Sequence, residues 1–262
     1  MDLQVDGKFA FVATLGREIN PTNPSIVFVH GAGLDHTVWT LTMRYFARHG
    51  RNVLAVDLPG HGRSAGSALV KITDMAEWIN KVIETVGLKE TAIAGHSMGS
   101  LAALEVAVRY PRRLRALALL GTSAPMPVHE RLLSAAKDND HAAVDMLNLW
   151  GYSFPAQVGG CGAPGMWKTG GNERLLERAA GGVLYADLNA CNEYGDRAEQ
   201  AAQVRCPTLL IIGDRDVMTP PAASQHLGQT IPEARTIVVE NCGHAMLSEQ
   251  PNAVLDALSE IL

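Results

Sequence analysis

No lysine- or arginine-rich block occurs anywhere in the chain, and 22 basic residues stand against 27 acidic ones for a net charge of −5. That balance points away from a nucleic-acid partner. No apolar run reaches the roughly 18 residues of a membrane span. The start, MDLQVDGKFAFVATLG, carries acids in its first turn and no long apolar core, so it does not read as a signal peptide. Cysteine is sparse: Cys161, Cys191, Cys206 and Cys242 form no CxxC pair and no metal-ligand spacing. Free thiols in a reducing compartment, the cytoplasm, are the simplest expectation. Neither an internal repeat nor a low-complexity tract interrupts the chain, and no residue pattern calls for a metal or a cofactor.

What is present is an ordinary globular composition, 47% apolar and 19% charged over 262 residues. That length suits one large core, or one domain with an insertion. Short, nearly all-apolar runs recur at 25–30 (SIVFVH), 52–57 (NVLAVD), 91–96 (TAIAGH), 114–120 (LRALALL), 207–213 (PTLLIIG) and 235–240 (RTIVVE). Such runs suit a parallel sheet buried on both faces. Helical spacing appears between them, at 73–86, 100–110 and 248–262. The first twenty residues read as an antiparallel edge hairpin. From 123 to 204 no strand is evident. That stretch holds amphipathic pieces at 130–149 and 172–188 and a glycine-rich loop at 159–171, and reads as a helical insertion. The predicted organisation is an α/β core of residues 1–122 and 205–262 with a helical cap of residues 123–204.

The stretch AIAGHSMGSLAALE, from Ala92 to Glu105, places a serine between two glycines where a strand gives way to a helix. Gly95-His96-Ser97-Met98-Gly99 fits G-x-S-x-G, and its strand–turn–helix context is what makes the match informative. A sharp turn there forces the serine into strained backbone angles and requires small neighbours. It also projects the hydroxyl beyond the carboxyl end of the sheet, beside the amides that open the next helix.

A serine hydroxyl needs a base, and the base needs an orienting carboxylate. His244, in Asn241-Cys242-Gly243-His244, lies in the loop after the last strand, on the same rim as Ser97. Two acids compete for the third place. Asp214, at the strand end, can simply cap its turn. Asp216, deeper in the loop, can turn toward His244, and the geometry of a triad favours it. Gly31-Ala32-Gly33 follows the strand 25–30, so the N–H groups of Ala32 and Met98 can converge on a developing oxyanion. Trp39, Met98, Trp150, Met166 and Trp167 are candidates for an apolar substrate pocket, although most such residues are core. His61 and Arg63 in DLPGHGRS read as scaffolding of their own loop.

VFVHGAG, DLPGHGRS, GHSMG, PTLLIIGDRD and NCGH, in this order, resemble the α/β-hydrolase superfamily over essentially the whole chain. The resemblance implies an eight-stranded, mostly parallel sheet flanked by helices, with a helical cap after strand six. It also implies the order nucleophile, acid, base. The acid of the family pattern is the third residue after the glycine ending strand seven, again Asp216. The alternative position after strand six reads Gly121-Thr122-Ser123-Ala124 and holds no acid. Ser100 departs from the glycine often found there, without consequence for the turn. A serine nucleophile disfavours epoxide opening and dehalogenation and leaves acyl transfer to water from an ester, a thioester or a lactone. The start of the chain looks most like carboxylesterases and enol-lactonases of bacterial catabolism. A C–C bond hydrolase of the meta-cleavage type ranks second, for want of an HGGGPG-like stretch. A cofactor-free perhydrolase, or a small-molecule receptor with slow turnover, would carry the same motifs. A small-molecule substrate, no nucleic acid and no membrane are the expected partners. Oligomeric state and natural substrate are not legible.

Overall fold

The computed structural model describes residues 1–160 and 167–262. Its elements run β1 (Asp2–Val5), β2 (Lys8–Ala13), β3 (Ser25–Val29), α1 (Thr40–Arg48), β4 (Asn52–Val56), α2 (Ile72–Val86), β5 (Thr91–His96), α3 (Met98–Arg109) and β6 (Leu114–Leu120). Six helices follow: α4 (Glu130–Lys137), α5 (Ala142–Gly151), α6 (Phe154–Gln157), α7 (Lys168–Leu176), α8 (Val183–Asn192) and α9 (Ala198–Ala201). The chain then closes with β7 (Thr208–Gly213), α10 (Pro221–Thr230), β8 (Arg235–Val239), α11 (Met246–Glu249) and α12 (Pro251–Ser259).

The eight strands form one sheet in the order β1-β2-β4-β3-β5-β6-β7-β8. β1 and β2 pair antiparallel, β2 runs antiparallel to β4, and every later neighbour is parallel. The expected edge hairpin and the eight-stranded, mostly parallel sheet are therefore both present. β3, β4, β5 and β7 are buried along their whole length, as strands covered on both faces must be. One core packs α2 and α3 against the sheet through Met75, Ile79, Leu101 and Leu104. The other packs α1 and α12 on the opposite face through Met43, Phe46, Val254 and Leu258.

Several helices differ from their periodicity. α1 and α10 lie outside the stretches of expected helix, although α1 buries Met43, Phe46 and Ala47 at helical spacing. The amphipathic stretch 130–149 is split into α4 and α5 by a turn in which Asn139 takes φ 52°. The C-terminal helix is broken before Pro251, whose ring cannot continue a helix through the preceding residue. The middle of the loop read at 159–171, residues 161–166, lies outside the described residues. The last residues of that loop are helical instead, because 168–171 form the first turn of α7.

β5 lies in the middle of the sheet, with β3 and β6 on either side, so the chain leaves β5 at the centre of the carboxyl edge. Gly95 is enclosed there by backbone. A Cβ on it would collide with the Gly99 carbonyl and sit 2.7 Å from the Ser100 nitrogen. We expect Gly95→Ala to destabilise the protein by on the order of 3 kcal/mol, since backbone cannot yield as a side chain does. Urea unfolding at pH 7 measures it. A midpoint within experimental error of the parent would mean that the turn relaxes freely.

Candidate active site

Ser97 follows the last residue of β5 and precedes the first of α3, with φ 54° and ψ −122°. A side-chain-bearing residue there stores strain of about 1–3 kcal/mol and persists only where its surroundings impose it. The surroundings do so here. The Ser97 N–H donates to the Leu120 carbonyl at 2.9 Å, and the Ser97 carbonyl accepts from the Ser100 N–H at 2.8 Å and from the Ser100 hydroxyl at 2.5 Å. Ser100 thus reinforces the turn.

His244 and Asp216 are both buried, in the loops after β8 and β7. His244 Nδ1 donates to Asp216 Oδ2 at 2.8 Å. The carboxylate also accepts from the N–H groups of Met218 and Thr219, each at 2.8 Å, and from the Thr219 hydroxyl at 2.7 Å. Burial alone would raise the Asp216 pKa, but the adjacent His244 and these donors hold it below the ordinary 3.8. With Nδ1 committed as donor, Nε2 of a neutral His244 is the acceptor nitrogen. It is buried and has no hydrogen-bond partner among the described residues. Asp214 does something else: its Oδ1 accepts the Cys242 N–H at 2.9 Å and ties the β7 loop to the β8 loop.

Ser97, His244 and Ala32 line one cavity of about 380 Å³ at the carboxyl edge. The N–H groups of Ala32 and Met98 donate to no group among the described residues. The Gly31 carbonyl accepts the Leu34 N–H at 3.2 Å across a turn in which Gly33 takes φ 68°. The strand ends form one wall of the cavity. The helical segment forms the other, through Met126, Val128, Leu132, Leu147, Trp150, Leu176 and Leu188. Apart from Trp150, nothing local in the sequence marks which of these apolar positions face a void. Trp150 lines the cavity as expected. Trp39 does not: it is wholly buried in the core and packs on Phe28 with ring centroids 5.0 Å apart. The Met98 side chain is likewise core. Trp167 is 73% exposed, lies over Gly170 and is not in the lining. Met166 lies outside the described residues.

The DLPGHGRS loop satisfies its own backbone, as expected: Asp57 Oδ2 accepts the Arg63 N–H at 2.9 Å, and the Ser64 hydroxyl donates to the Asp57 carbonyl at 2.6 Å. His61 does more. Its Nδ1 donates to the Pro59 carbonyl at 3.1 Å and its Nε2 to Asp187 Oδ2 of α8 at 2.7 Å. Both ring nitrogens face acceptors, an arrangement that favours the protonated imidazole. Burial opposes that charge, but the Asp187 carboxylate outweighs it and raises the pKa. Two other buried imidazoles stay neutral. Burial first, then the neighbouring His244, lowers His96 to about 4; burial first, then His61, lowers His30 to about 4.

Among the described residues, Asp35, His36 and Asp57 approach as metal ligands would, as do His141, Glu173 and Glu177. In the first group the atoms are already committed: Asp57 Oδ1 accepts from His36 Nδ1 and from the His36 N–H, both at 2.8 Å. The second lies on the outer surface of the helical segment, where His141 Nε2 donates to Glu177 at 3.0 Å.

Residues 26–257 match the alpha/beta hydrolase family. The chain is 24% identical over 239 residues to an (E)-2-((N-methylformamido)methylene)succinate hydrolase of Acinetobacter baylyi, covering 89% of this chain and 88% of that one. It is 27% identical to a pimeloyl-[acyl-carrier protein] methyl ester esterase of Nitrosomonas europaea, covering 94% and 100%. Its fold superimposes on the enol-lactonase from Burkholderia xenovorans with a TM-score of 0.85 at 20% identity, covering 99% and 98%. No helix of the described residues is long and apolar enough to cross a membrane.

The buried imidazoles set an acid limit on stability. His30 and His96 have folded values near 4 against an ordinary 6.5, so between those values the unfolded chain binds more protons. Their contribution is complete above pH 6.5 and is lost as pH falls toward 4, by up to about 3 kcal/mol for each imidazole. His61, shifted the other way, contributes below 6.5 and loses that contribution as pH rises through its raised value. We expect the urea midpoint to climb from pH 4 to 6.5 and the climb to be shallower in His96→Asn. A flat profile in the parent would show that these imidazoles reach water.

Proposed function

We propose that this chain, which belongs to the alpha/beta hydrolase family, hydrolyses a small neutral carboxylic ester or lactone through an acyl-enzyme on Ser97. The observation that carries the reading is the His244 imidazole, with Nδ1 on Asp216 and Nε2, which has no partner among the described residues, beside the cavity that the strained Ser97 enters. Ser97 Oγ attacks the acyl carbon as its proton passes to His244 Nε2. The carbonyl oxygen becomes an oxyanion, held by the N–H groups of Ala32 and Met98. Collapse breaks the bond to the leaving alkoxide, which takes the proton from Nε2. Water then repeats the sequence on the acyl-enzyme, and in a lactone the alkoxide remains part of the acyl group. Asp216 keeps His244 in the productive tautomer and stabilises the imidazolium as it forms.

The helical segment 123–204 acts as a cap that shapes the acyl site and excludes water. A cavity of about 380 Å³ lies at the small end of ligand sites and suits a short or medium chain. No lysine or arginine is in its lining, and residues 161–166, CGAPGM, contain none. A carboxylate-bearing acyl group would therefore lose its hydration without gaining a lysine or arginine partner. The names of the Nitrosomonas and Burkholderia relatives, a methyl ester esterase and an enol-lactonase, support ester and lactone chemistry.

A fluorophosphonate probe should label the parent at one site and leave Ser97→Ala unlabelled; labelling that survives would remove Ser97 from the reaction. Asp216→Asn should lower kcat about 10⁴-fold, by analogy with the loss of the orienting carboxylate in other triads. Asp214→Asn, which touches only a loop N–H, should cost far less. With p-nitrophenyl esters, we expect butyrate to be preferred at least about tenfold in kcat/KM over an acyl group of similar length ending in a carboxylate. Trp150→Ala should change the chain-length preference, whereas Trp167→Ala should leave it as it is.

A further inference from the structure

Asp187 lies on α8, wholly buried, and both groups that its Oδ2 accepts come from outside the helical segment. One is His61 Nε2, from the loop after β4, at 2.7 Å; the other is the Gly33 N–H, from the loop after β3, at 2.8 Å. The second partner matters most. Gly33 belongs to the turn that carries the Ala32 N–H. The Leu34 N–H bond to the Gly31 carbonyl sets the shape of that turn. It does not set the turn's position relative to Ser97. The Gly33–Asp187 bond ties the turn to a group outside it, and Leu184 of the same helix also packs against Gly33, 3.0 Å from where a Cβ would stand.

The histidines complete the support. His30 Nδ1 donates to the Gly31 carbonyl at 2.9 Å, and its Nε2 accepts the Leu58 N–H at 3.2 Å. The His30 ring packs against His61, with centroids 4.8 Å apart. His61 in turn fixes the Asp187 carboxylate. Asp187 Oδ1, also buried, has no partner among the described residues. A buried ion pair with one oxygen unmatched is a poor stabilising device, since well-packed apolar residues commonly do as well or better. Its distinctive product is the location of the Gly31–Leu34 turn.

We infer that Asp187 is a positioning residue for the reaction: through Gly33 it holds the Ala32 N–H at the distance from Ser97 that the oxyanion requires. The inference rests on the serine-hydrolase reading above. α8 also supplies Leu188 and Cys191 to the cavity wall. Acyl groups that press on this helix are therefore coupled mechanically to the oxyanion donor, and chain length acts on kcat as well as on KM.

The test compares the parent, Asp187→Ala, Asp187→Asn and Ser97→Ala on p-nitrophenyl butyrate, together with inhibition by an alkyl trifluoromethyl ketone, whose adduct places an oxyanion in the same position. Asp187→Ala should lose about 10- to 100-fold in kcat with KM changed less than about threefold, as for a displaced donor. Its affinity for the ketone should fall by the same factor. Asp187→Asn keeps an oxygen for the Gly33 N–H and should recover most of both. If Asp187→Ala does not fold, Asp187→Ser, whose hydroxyl ends short of Oδ2, takes its place. A kcat within about twofold of the parent overturns the inference, as does a lower kcat with ketone affinity unchanged. Activity that persists in Ser97→Ala overturns the serine reading and this inference with it. Loss of activity in Ser97→Ala beside an unaffected Asp187→Ala overturns this inference alone.

Discussion

One residue in a backbone conformation that L side chains rarely adopt, Ser97 at φ 54°, is the constraint on which the rest of the structure depends. It can exist only where neighbouring backbone closes on it from several sides. β6 supplies the Leu120 carbonyl, α3 supplies the Ser100 N–H and hydroxyl, and the end of β3 lies against Gly99 closely enough that a Cβ there would stand 2.5 Å from the His30 carbonyl. The central place of β5 and the burial of α3 along most of its length follow from that requirement. A strained turn at a sheet edge or under a loose helix would relax.

Two of the hydrogen-bonded attachments of the helical segment to the core lie beside groups of the candidate site, and a third joins the Tyr194 hydroxyl to Glu105 of α3 at 2.8 Å. On one side Asp187 reaches Gly33 and His61. On the other, Glu249 accepts the Ser153 hydroxyl at 2.6 Å and the Gly243 N–H at 3.0 Å, while the Ala245 N–H donates to the Gly151 carbonyl at 2.7 Å. Ala245, next to His244, is thus bonded directly to the segment that roofs the cavity, and Gly243 is linked to it through Glu249. The segment has its own small apolar core, in which Leu132, Leu147, Leu176 and Leu188 meet. It is joined to the core by apolar contacts through Met126, Ala190, Cys191 and Tyr194 as well as by these polar bonds. Apolar contacts hold the helices together, and directional bonds fix where they stand relative to the loops below.

Buried ionisable groups concentrate at the same carboxyl edge. Asp216 and His61 are shifted toward their charged forms, and His30 and His96 toward their neutral ones. One physical contest decides all four. Burial disfavours charge, and the outcome depends on whether an opposite charge and enough hydrogen-bond partners are within reach. His61 has Asp187 and a carbonyl; His96 has one carbonyl for its Nε2 and, among the described residues, no partner for its Nδ1.

Strand-length apolar runs, glycines around a serine, and histidine and aspartate in late loops are local features, and they sufficed for the fold class and the family. Periodicity and turn chemistry are written within a few residues of where they act, so a linear reading can find them. The linear pattern also separated Asp216 from Asp214 by loop position, and only Asp216 meets His244 in the folded chain. It could not tell that Trp39 fills the core beneath β3 while Trp150 faces the cavity, because an indole looks the same in either place. Nor could it pair Asp187 with His61, 126 residues apart, or show that one carboxylate oxygen would carry the Gly33 N–H as well. Those contacts depend on how α8 lies across the strand ends. That placement is set by the packing of six helices against one another and against the sheet edge, and no stretch of sequence contains it.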